Sequence, residues 1–519
     1  MKNDSLRILF ATAEIAPWVK TGGLGDVAGA LPPALAQMGM EVSVLVPAYP
    51  AIIRAYPNQT FVAHMPSPGG NLHSGDIWMV EREDGVRMYL LHCSPYFTRP
   101  GGPYQDASGA DWPDNAQRFA LLSYAAAWLA SDAGPLEHPP QVLHCNDWQT
   151  GLAPAYRRYL LGGNGAPTVM TIHNLAYQGV FAPDILGAIA LPNHAFAWDG
   201  VEYFGNISYL KAGLQLSEQL TTVSPTYARE VQSHELGYGL DGLLRFRAND
   251  LTGILNGIDK KVWDPARDPL LARKYNARSL DLKAENKLAL QQKFELMPEP
   301  SSPLVGCVSR LTHQKGLDLL LAVADTVVGE GAQFAVLGTG DPWLQDAFRD
   351  LANRHPGRVG VYIGYDEALA HQIEAGADIF AMPSRFEPCG LNQMYSLRYG
   401  TLPLVRATGG LADTVRNLPA GAAEAGDANG FSFRDATSEA LLGALRRALG
   451  VWRNRALWRE MQLNGMKLDF GWRTSARQYL ALYQTLLLAG EGGKGAKKRR
   501  RRGDQSAPSP EPTNESALR

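Results

Sequence analysis

The 519-residue sequence lacks the features that mark secreted, membrane-spanning and zinc-binding proteins. Its only cysteines are Cys93, Cys145, Cys307 and Cys389, and no two of them stand at the spacing of a zinc or redox motif. The apolar run before Glu14 is too short for a signal peptide, and no stretch reaches the roughly 18 apolar residues of a membrane helix. These absences exclude a disulfide framework and a membrane span, and they predict a cytoplasmic protein.

A strong excess of charge of either sign is also lacking. The chain has 49 Lys and Arg against 51 Asp and Glu, and eight of the basic residues lie in the last thirty positions. The acidic body gives no reason to expect nucleic acid or a membrane as a partner. Residues 490–519 are poor in apolar residues and rich in Gly, Pro, Ser and charge, which predicts a disordered basic tail. Its KKRRRR run could bind an anionic partner, although a solvated tail is the simpler interpretation.

Short apolar runs, each followed by a helical pattern, make up most of the remaining chain. Such near-continuous apolar strands are typical of parallel sheets covered by helices on both faces. The runs of the first half are 7–14, 42–49, 88–94, 141–147, 168–174, 220–225 and 252–257, and those of the second half are 304–311, 332–340, 359–365, 377–384 and 402–410. The chain is too long for one core, so these series predict an α/β protein with two doubly wound, Rossmann-like domains, at residues 1–260 and 261–473.

Polar residues concentrate where the predicted strands end, at the edge where open parallel sheets bind ligands. Residues of this kind are Glu14, Asp147, His173, Asn174, Ser224 and Asn256 in the first half, and Arg310, Gly338 to Gly340, Tyr365, Arg385 to Glu387, and Thr408 to Gly410 in the second. Strand ends are polar in most proteins, and that alone accounts for Tyr365. The combination of Arg, Glu, His and paired glycines in both halves instead predicts one ligand cleft between two facing domains.

The segment SRLTHQKG predicts an anion site. Arg310 ends a strand, and Lys315 with Gly316 opens an amphipathic helix. The free N–H groups and the dipole at the start of that helix add to the charges of the two side chains. Because a charge-assisted hydrogen bond contributes about 1.5–3 kcal/mol, two such cations can dominate the binding of a diphosphate.

A glycine loop with Lys20, Gly22 and Gly23 follows the first strand and precedes a helix that we expect to begin near Asp26. Glycines let backbone N–H groups approach an oxyanion without an intervening side chain. The segment GLGDVA, residues 23–28, matches the dinucleotide-binding pattern. The loop nevertheless starts several residues beyond the strand, and the second strand ends without an acidic residue for a ribose. We therefore reject an NAD enzyme.

A near-copy of this loop, TGGLADT, occupies residues 408–414, shortly after Glu387 in a Pro-Cys-Gly turn. The Glu387 carboxylate could cap a following helix or accept hydrogen bonds from sugar hydroxyls. Cys389 and Gly390 belong to the same turn. Packing is the simpler role for Cys389, because the sequence shows no His partner that would make it a nucleophile.

Together these motifs resemble the bacterial glycogen synthases, the ADP-glucose-dependent starch and glycogen synthase family. The matching segments are KTGGLGDV, HCNDWQTG, TIHNLAYQG, LNGID, SRLTHQKG, PSRFEPCGLNQ and TLPLVRATGGLADT. The resemblance implies a GT-B fold, with two Rossmann-like domains around a deep cleft and a helix at 474–489 that crosses back to the first domain. It implies retaining transfer of glucose from ADP-glucose to the 4-OH at the non-reducing end of an α-1,4-glucan such as glycogen.

The resemblance also implies roles for the candidate residues. The catalytic set is Asp147, His173, Arg310, Lys315 and Glu387. Within it, Arg310 and Lys315 would neutralise the departing ADP, and Glu387 would hold sugar hydroxyls. The substrate-binding set is Lys20, Gly22, Gly23, Asp26, Tyr104, Asn174, Asn256, Tyr365, Cys389, Gly390, Thr408, Gly409 and Gly410.

The sequence contains no D-x-D motif, which supplies the metal–diphosphate ligand in the other large glycosyltransferase class. We therefore expect a metal-independent reaction without a cofactor, in which the two cations replace Mg²⁺.

Two positions depart from related patterns. Tyr395 stands where the wider retaining GT-B pattern has a second Glu, which leaves the ribose contacts unassigned, and Asn146 stands where some relatives have His.

Several alternatives stay open at this point. No adenine-reading motif is visible, so a UDP-glucose-preferring synthase or another GT-B sugar-nucleotide enzyme remains an alternative. A glucan phosphorylase would need a Schiff-base lysine and a longer chain, and an inactive glucan-binding protein would lack the Arg, Lys and Glu set. No carboxylate is obviously placed as a covalent nucleophile, and same-face attack by the acceptor is therefore our hypothesis for retention.

Overall fold

The computed structural model describes residues 5–503 of the chain, with side chains up to residue 489. Residues 504–519 of the predicted tail lie outside the described residues. We call the residues up to 260 the N-terminal part and residues 261–471 the C-terminal part. Among the described residues, no helix combines the length and apolarity that a membrane crossing requires.

The N-terminal part is built on a large, mainly parallel sheet. Its strands are β1 Arg7–Ala11, β2 Glu41–Pro47, β3 Thr60–Met65, β4 Gly75–Glu81, β5 Arg87–His92, β6 Val142–Asn146, β7 Thr168–Ile172, β8 Val180–Phe181, β9 Glu202–Tyr203, β10 Asn206–Ser208, β11 Gln219–Thr222 and β12 Leu251–Gly253. Its helices are α1 Gly23–Ala36, α2 Pro50–Ala55, α3 Ser94–Phe97, α4 Asn115–Leu129, α5 Ala153–Tyr159, α6 Tyr209–Leu216, α7 Pro225–Glu230 and α8 Asp241–Phe246.

All strands predicted for this part form, and they are parallel in the order β12-β11-β7-β6-β1-β2-β5. The sheet continues into β4 and β3, which pair antiparallel and were not predicted. In β3 only Met65 is buried, and in β4 only Gly75, Ile77 and Val80 are, so the two strands lack the continuous apolar run on which the prediction rests. A small antiparallel sheet, β8-β10-β9, was also missed because its strands have only two or three residues.

The C-terminal part contains a second sheet. Its strands are β13 Leu304–Val308, β14 Gln333–Gly338, β15 Val359–Ile363, β16 Ile379–Met382, β17 Leu402–Arg406 and β18 Phe431–Phe433. The helices from here to the end are α9 Lys283–Lys293, α10 Leu317–Gly329, α11 Pro342–Arg354, α12 Glu367–Gly376, α13 Asn392–Arg398, α14 Gly409–Thr414, α15 Ser438–Trp452, α16 Arg455–Met466 and α17 Trp472–Gly503. The strands are all parallel, in the order β15-β14-β13-β16-β17-β18. Two Rossmann-like sheets in tandem are therefore confirmed.

The last helix, α17, leaves the C-terminal part and packs on the N-terminal core. Tyr479 and Tyr483 are almost fully buried there, and the Tyr483 hydroxyl lies 2.8 Å from Nδ1 of His144 in β6. The backbone stays helical through residues 490–503, where the sequence predicts disorder. Lys, Arg and Ala favour helices, and extending a helix that is already nucleated adds a hydrogen bond for each ordered residue.

The two parts also meet through α7 and α14. The Thr226 backbone N–H and hydroxyl donate to the Asp413 carboxylate over 3.0 and 2.7 Å. Next to them, the Glu230 carboxylate accepts from the Thr408 hydroxyl and from the Gly409 N–H, both over 3.0 Å. Residues nearly two hundred positions apart thus form one polar contact between the parts.

Candidate active site

Asp147 and His173 lie side by side at the ends of the neighbouring strands β6 and β7. Oδ1 of the buried Asp147 accepts the His173 N–H over 2.7 Å and the Asn174 N–H over 3.4 Å. The φ of Asp147 is +54°, a strained backbone conformation for a residue other than glycine, and such strain is often found at functional sites. Burial raises the pKa of Asp147 to about 7. These contacts place the predicted Asp147, His173 and Asn174 in one cluster.

The imidazole of His173 is held in one orientation by Asn146. Its Nε2 lies 3.0 Å from Asn146 Oδ1, while Nδ2 of that amide donates to the Ala11 carbonyl. The amide oxygen can only accept, so Nε2 of His173 carries the proton and Nδ1 is an acceptor. Burial lowers the pKa of His173 to about 3, which keeps the ring neutral. Asn146 thus fixes the tautomer of His173.

A second cluster surrounds the first glycine loop. Lys20 Nζ forms a 2.8 Å ion pair with Asp26, and α1 begins at Gly23, three residues earlier than predicted, because Gly22 already provides the extended N-cap. Both glycines are exposed, and a Cβ at either one would have no atom within 4 Å. The loop therefore has room for a ligand, as the sequence predicts. Burial raises the pKa of Asp26, which Lys20 partly offsets.

Glu14, which follows β1, organises this loop; the sequence names it only among the polar strand ends of the cleft and predicts no role for it. Its carboxylate accepts the Thr21 N–H over 2.7 Å, the Thr21 hydroxyl over 2.6 Å and the Tyr104 hydroxyl over 2.6 Å. Gln149 Nε2 donates to the same Tyr104 hydroxyl over 2.9 Å. The side chain of the predicted Tyr104 is therefore engaged within the N-terminal part. The position of Glu14, a carboxylate at a strand end, was the available signal.

In the C-terminal part, Lys315 and Glu387 meet directly. Lys315 Nζ lies 2.6 Å from Glu387 Oε2, which also accepts the Ser384 hydroxyl over 2.9 Å. Gly316 has a φ of +67°, and a Cβ there would fall 2.0 Å from the Pro383 carbonyl, so only glycine lets the start of α10 approach this turn. The pair places a buried carboxylate and a largely buried cation at the start of α10.

The possible capping role of Glu387 is wrong. Helix α13 begins at Asn392, five positions later, so the Glu387 side chain is bound by Lys315 and Ser384 instead of helix N–H groups. Arg310, the other predicted cation, is exposed at the end of β13 and is available to a ligand in the cleft.

The second glycine loop packs against the Glu387 turn. A Cβ on Gly409 would lie 1.9 Å from the Glu387 carbonyl, and one on Gly410 would lie 2.1 Å from the Cys389 carbonyl. The loop therefore supports the turn from behind. The Gly409 N–H, which the sequence predicts near phosphate, donates to Glu230 in this structure, as does the Thr408 hydroxyl. Substrate binding by Thr408, Gly409 and Gly410 stays a prediction.

Cys389 is enclosed at the junction of the two parts. Burial raises the pKa of its thiol to about 12, and the backbone N–H of Asn256 donates to the sulfur, so the thiol is a packing group and not a nucleophile. Gly390 has a φ of +70°, which the turn requires. Asn256 is buried, and within the described part of the chain its Oδ1 has no hydrogen-bond partner. These predicted residues lie together between the two parts.

Tyr365 stands apart from the other candidates, after β15, with 77% of its surface exposed. Its hydroxyl donates to Glu367, the first residue of α12. The charge of Asp26 in the N-terminal part lies close enough to affect both side chains. Tyr365 and Glu367 therefore lie near Asp26, which follows the first glycine loop.

Comparisons with known proteins agree with this arrangement. The starch synthase catalytic domain family matches residues 7–246, and the glycosyl transferases group 1 family matches residues 290–460. The chain is 52% identical to a glycogen synthase of Dechloromonas aromatica over 93% of its length and 98% of the relative. It is 49% identical to a glycogen synthase of Nitrosomonas europaea over 93% and 98% of the two chains.

Solved structures give the same result. The catalytic domain of starch synthase IV from Arabidopsis thaliana, bound to ADP and acarbose, is 34% identical with a TM-score of 0.81 over 93% of this chain and 99% of that one. A sucrose-phosphate synthase of Thermosynechococcus elongatus shares the fold, with a TM-score of 0.57 at 17% identity over 93% of this chain and all of its own. The chain therefore belongs to the glycogen synthase and starch synthase family of GT-B glycosyltransferases, and it is a hexosyltransferase.

Proposed function

We propose that the chain transfers glucose from ADP-glucose to the 4-OH at the non-reducing end of an α-1,4-glucan, with retention of configuration and release of ADP. The observation that carries the proposal is the Lys315–Glu387 pair, at 2.6 Å, just before α10, together with the exposed Arg310 that follows β13. Such a group offers cations to a diphosphate and a carboxylate to a sugar. The Arabidopsis relative, which was solved with ADP and acarbose, supports a nucleotide and a glucan as ligands.

The roles follow from the charges that the reaction creates. Breaking the anomeric bond leaves positive charge on the sugar and negative charge on the departing ADP. Arg310 and Lys315 stabilise the ADP side from the start of α10, whose dipole adds to their charge. Glu387 Oε2 is held by Lys315 and Ser384, and the carboxylate accepts hydrogen bonds from sugar hydroxyls.

The N-terminal part supplies hydrogen-bonding groups near the transferred glucose. Nδ1 of His173 accepts from a sugar hydroxyl, because Asn146 fixes the proton on Nε2. Asp147 Oδ1 is held by two backbone N–H groups, which leaves Oδ2 to accept from substrate.

Retention by same-face attack, with the departing phosphate taking the acceptor proton, fits a site in which no carboxylate is assigned as nucleophile. Isolation of a glucosyl–enzyme adduct would disprove it.

The two cations also support a metal-independent reaction, since they supply the charge that a divalent ion would otherwise provide.

We further propose that the enzyme works in the cytoplasm. The four cysteines are buried free thiols, as expected in a reducing compartment.

One assay tests the proposal. The protein is incubated with glycogen and either ADP-glucose or UDP-glucose, with and without EDTA, and nucleotide release and chain growth are measured. We expect chain growth with ADP-glucose that EDTA does not reduce. Faster growth with UDP-glucose would establish the alternative donor, loss of activity in EDTA would disprove metal independence, and no growth with either donor would disprove the synthase function.

A further inference from the structure

Three neighbouring loops define a path along one edge of the C-terminal sheet. Strands β13, β14 and β15 are adjacent and parallel, and the residues after them are Arg310, Gly338 to Gly340, and Tyr365 to Glu367. Adjacent strands lie about 4.8 Å apart, so the ends of β13 and β15 are separated by about 10 Å. A diphosphate on Arg310 would therefore direct the attached nucleoside over the β14 loop toward the β15 loop.

The β14 loop leaves space for a ribose. Its residues Gly338, Thr339 and Gly340 are small, and the last two are exposed. A Cβ on Gly338 would lie 2.0 Å from the Ser309 carbonyl, and one on Gly340 would lie 2.2 Å from the Leu311 carbonyl. The glycines thus hold the loop flat against the residues that follow β13. Within residues 338–340, the loop therefore carries no side chain larger than that of Thr339.

Glu367 borders this space, and helix capping does not account for it. The N-cap of α12 is Asp366, whose side chain accepts the Leu369 N–H over 2.8 Å. The Glu367 side chain is half exposed, at 50%. Its Oε2 accepts the Tyr365 hydroxyl, and an ionised carboxylate with that one bond can still accept several others.

A buried cation sets the position of Glu367 from behind. His371 Nε2 lies 3.7 Å from Glu367 Oε1, and its Nδ1 lies 2.7 Å from Asp268 Oδ2. Burial alone would lower the pKa of His371, but these two carboxylates outweigh it and raise that pKa to about 9. The protonated His371, together with the Tyr365 hydroxyl, lowers the pKa of Glu367 to about 2.

The ring of His371 is itself held by stacking. Trp263 stacks on His371 at 3.8 Å and on Tyr395 at 3.7 Å, with interplanar angles of 14° and 7°. Tyr395 is almost fully buried and contributes a ring to this stack. Tyr395 therefore supplies no carboxylate at the position eight residues after Glu387. Glu367 instead reaches the cleft from the start of α12.

We propose that Glu367 binds the ribose hydroxyls of the donor nucleotide and that His371 is its positioning residue. The inference rests on the proposed function for the identity of the donor. Two adjacent ribose hydroxyls present two O–H donors, which match the acceptor oxygens of one carboxylate. With the diphosphate on Arg310 and Lys315, the ribose lies above the β14 loop and the base lies beside the exposed ring of Tyr365.

A competing role for Glu367 is to attract the N-terminal part. The charge of Lys20 lies near enough to stabilise the Glu367 carboxylate, so the two could pair as the cleft closes. That role predicts an effect on every nucleotide alike. Ribose binding instead predicts an effect that depends on the hydroxyls.

The test measures ADP and 2′,3′-dideoxy-ADP binding by calorimetry for the unmodified protein, Glu367→Gln and a control, Glu330→Gln. Glu330 pairs with Arg446 on the far side of the C-terminal part and leaves the cleft unchanged. We expect the unmodified protein and the control to prefer ADP about tenfold or more, as a charge-assisted hydrogen bond would give. In Glu367→Gln we expect the preference to fall to about twofold with dideoxy-ADP binding unchanged.

Two results would overturn the inference: an undiminished preference for ADP in Glu367→Gln, or an equal loss of affinity for both nucleotides. His371→Gln should also lower the ADP preference while dideoxy-ADP binding holds, which a general loss of structure would not produce. If that variant fails to fold, the Glu367→Gln measurement decides. Glucose transfer by the unmodified protein, measured separately, shows whether a failure belongs to this inference or to the proposed function.

Discussion

The loops at residues 21–26 and 408–413 share the letters TGGL-x-D, yet their glycines are present for different physical reasons. In the first loop, Gly22 and Gly23 are exposed and face open space. In the second, Gly409 and Gly410 are buried, and any Cβ would collide with the backbone of the Glu387 turn. The first pair leaves room for a ligand, whereas the second pair allows close packing behind Glu387.

The threonines of the two loops differ in the same way. Thr21 binds Glu14, which follows β1 in the same part of the chain, and this bond organises the loop within the N-terminal part. Thr408 binds Glu230, which belongs to the other part, and this bond joins the two. A glycine motif read from sequence therefore indicates a close approach, but not whether the approaching group is a ligand or the protein itself.

The largest expected effect concerns the cations beside the second loop. We expect Arg310→Ala and Lys315→Ala each to lower kcat/KM about 100- to 1000-fold, because each removes charge stabilisation of the departing ADP. Lys20→Ala, beside the first loop, should cost about tenfold, since Lys20 is exposed and paired with Asp26. Steady-state kinetics with ADP-glucose measure these values, and circular dichroism checks the fold. Near-unchanged activity in both Arg310→Ala and Lys315→Ala would disprove the phosphate site between β13 and α10.

A glycine exchange tests the packing difference. Gly410→Ala should lower the stability of the protein by about 3 kcal/mol, because the new methyl group has no space beside the Cys389 carbonyl. Gly23→Ala, its counterpart in the first loop, should change stability by less than about 0.5 kcal/mol and instead weaken ADP-glucose binding. Thermal unfolding and donor KM separate the two effects. Equal loss of stability in both variants would contradict the distinction between the loops.

The smallest expected effect concerns the bond between the parts. Glu230→Ala removes the acceptor for the Gly409 N–H and should destabilise the contact by about 1–2 kcal/mol. Glu230→Gln keeps an acceptor oxygen and should lose less, and Glu235→Ala, an exposed carboxylate on the same segment, serves as the control. Calorimetry is the measurement. We expect the Ala variant to separate the unfolding of the two parts, and a single transition at the original temperature would show that the contact is dispensable.

The sequence predicts the sheets better than their edges. All twelve apolar runs form parallel strands, since strands buried on both faces need continuous apolar residues. β3 and β4 escaped detection because one of their faces is partly exposed. Likewise α1 begins at Gly23 and not near Asp26, since the extended backbone at Gly22 decides the start of the helix.

The candidate site divides in a similar way. Lys315 and Glu387 each stand out locally, but their ion pair spans 72 residues and depends on how the loops after β13 and β16 meet. Glu14 and Glu230 act on the two glycine loops through contacts that no local pattern encodes. Local sequence thus indicates which residues carry chemistry, whereas their partners depend on the tertiary structure.

The return of α17 to the N-terminal part has a consequence for synthesis on the ribosome. Tyr479 and Tyr483 complete the N-terminal core, yet they emerge only after the entire C-terminal sheet has been made. The C-terminal core consists of residues 305–461 and can form without them. The part of the enzyme that is translated first is therefore the part that finishes folding last, and a ribosome that stalls before Trp472 leaves its apolar surface uncovered.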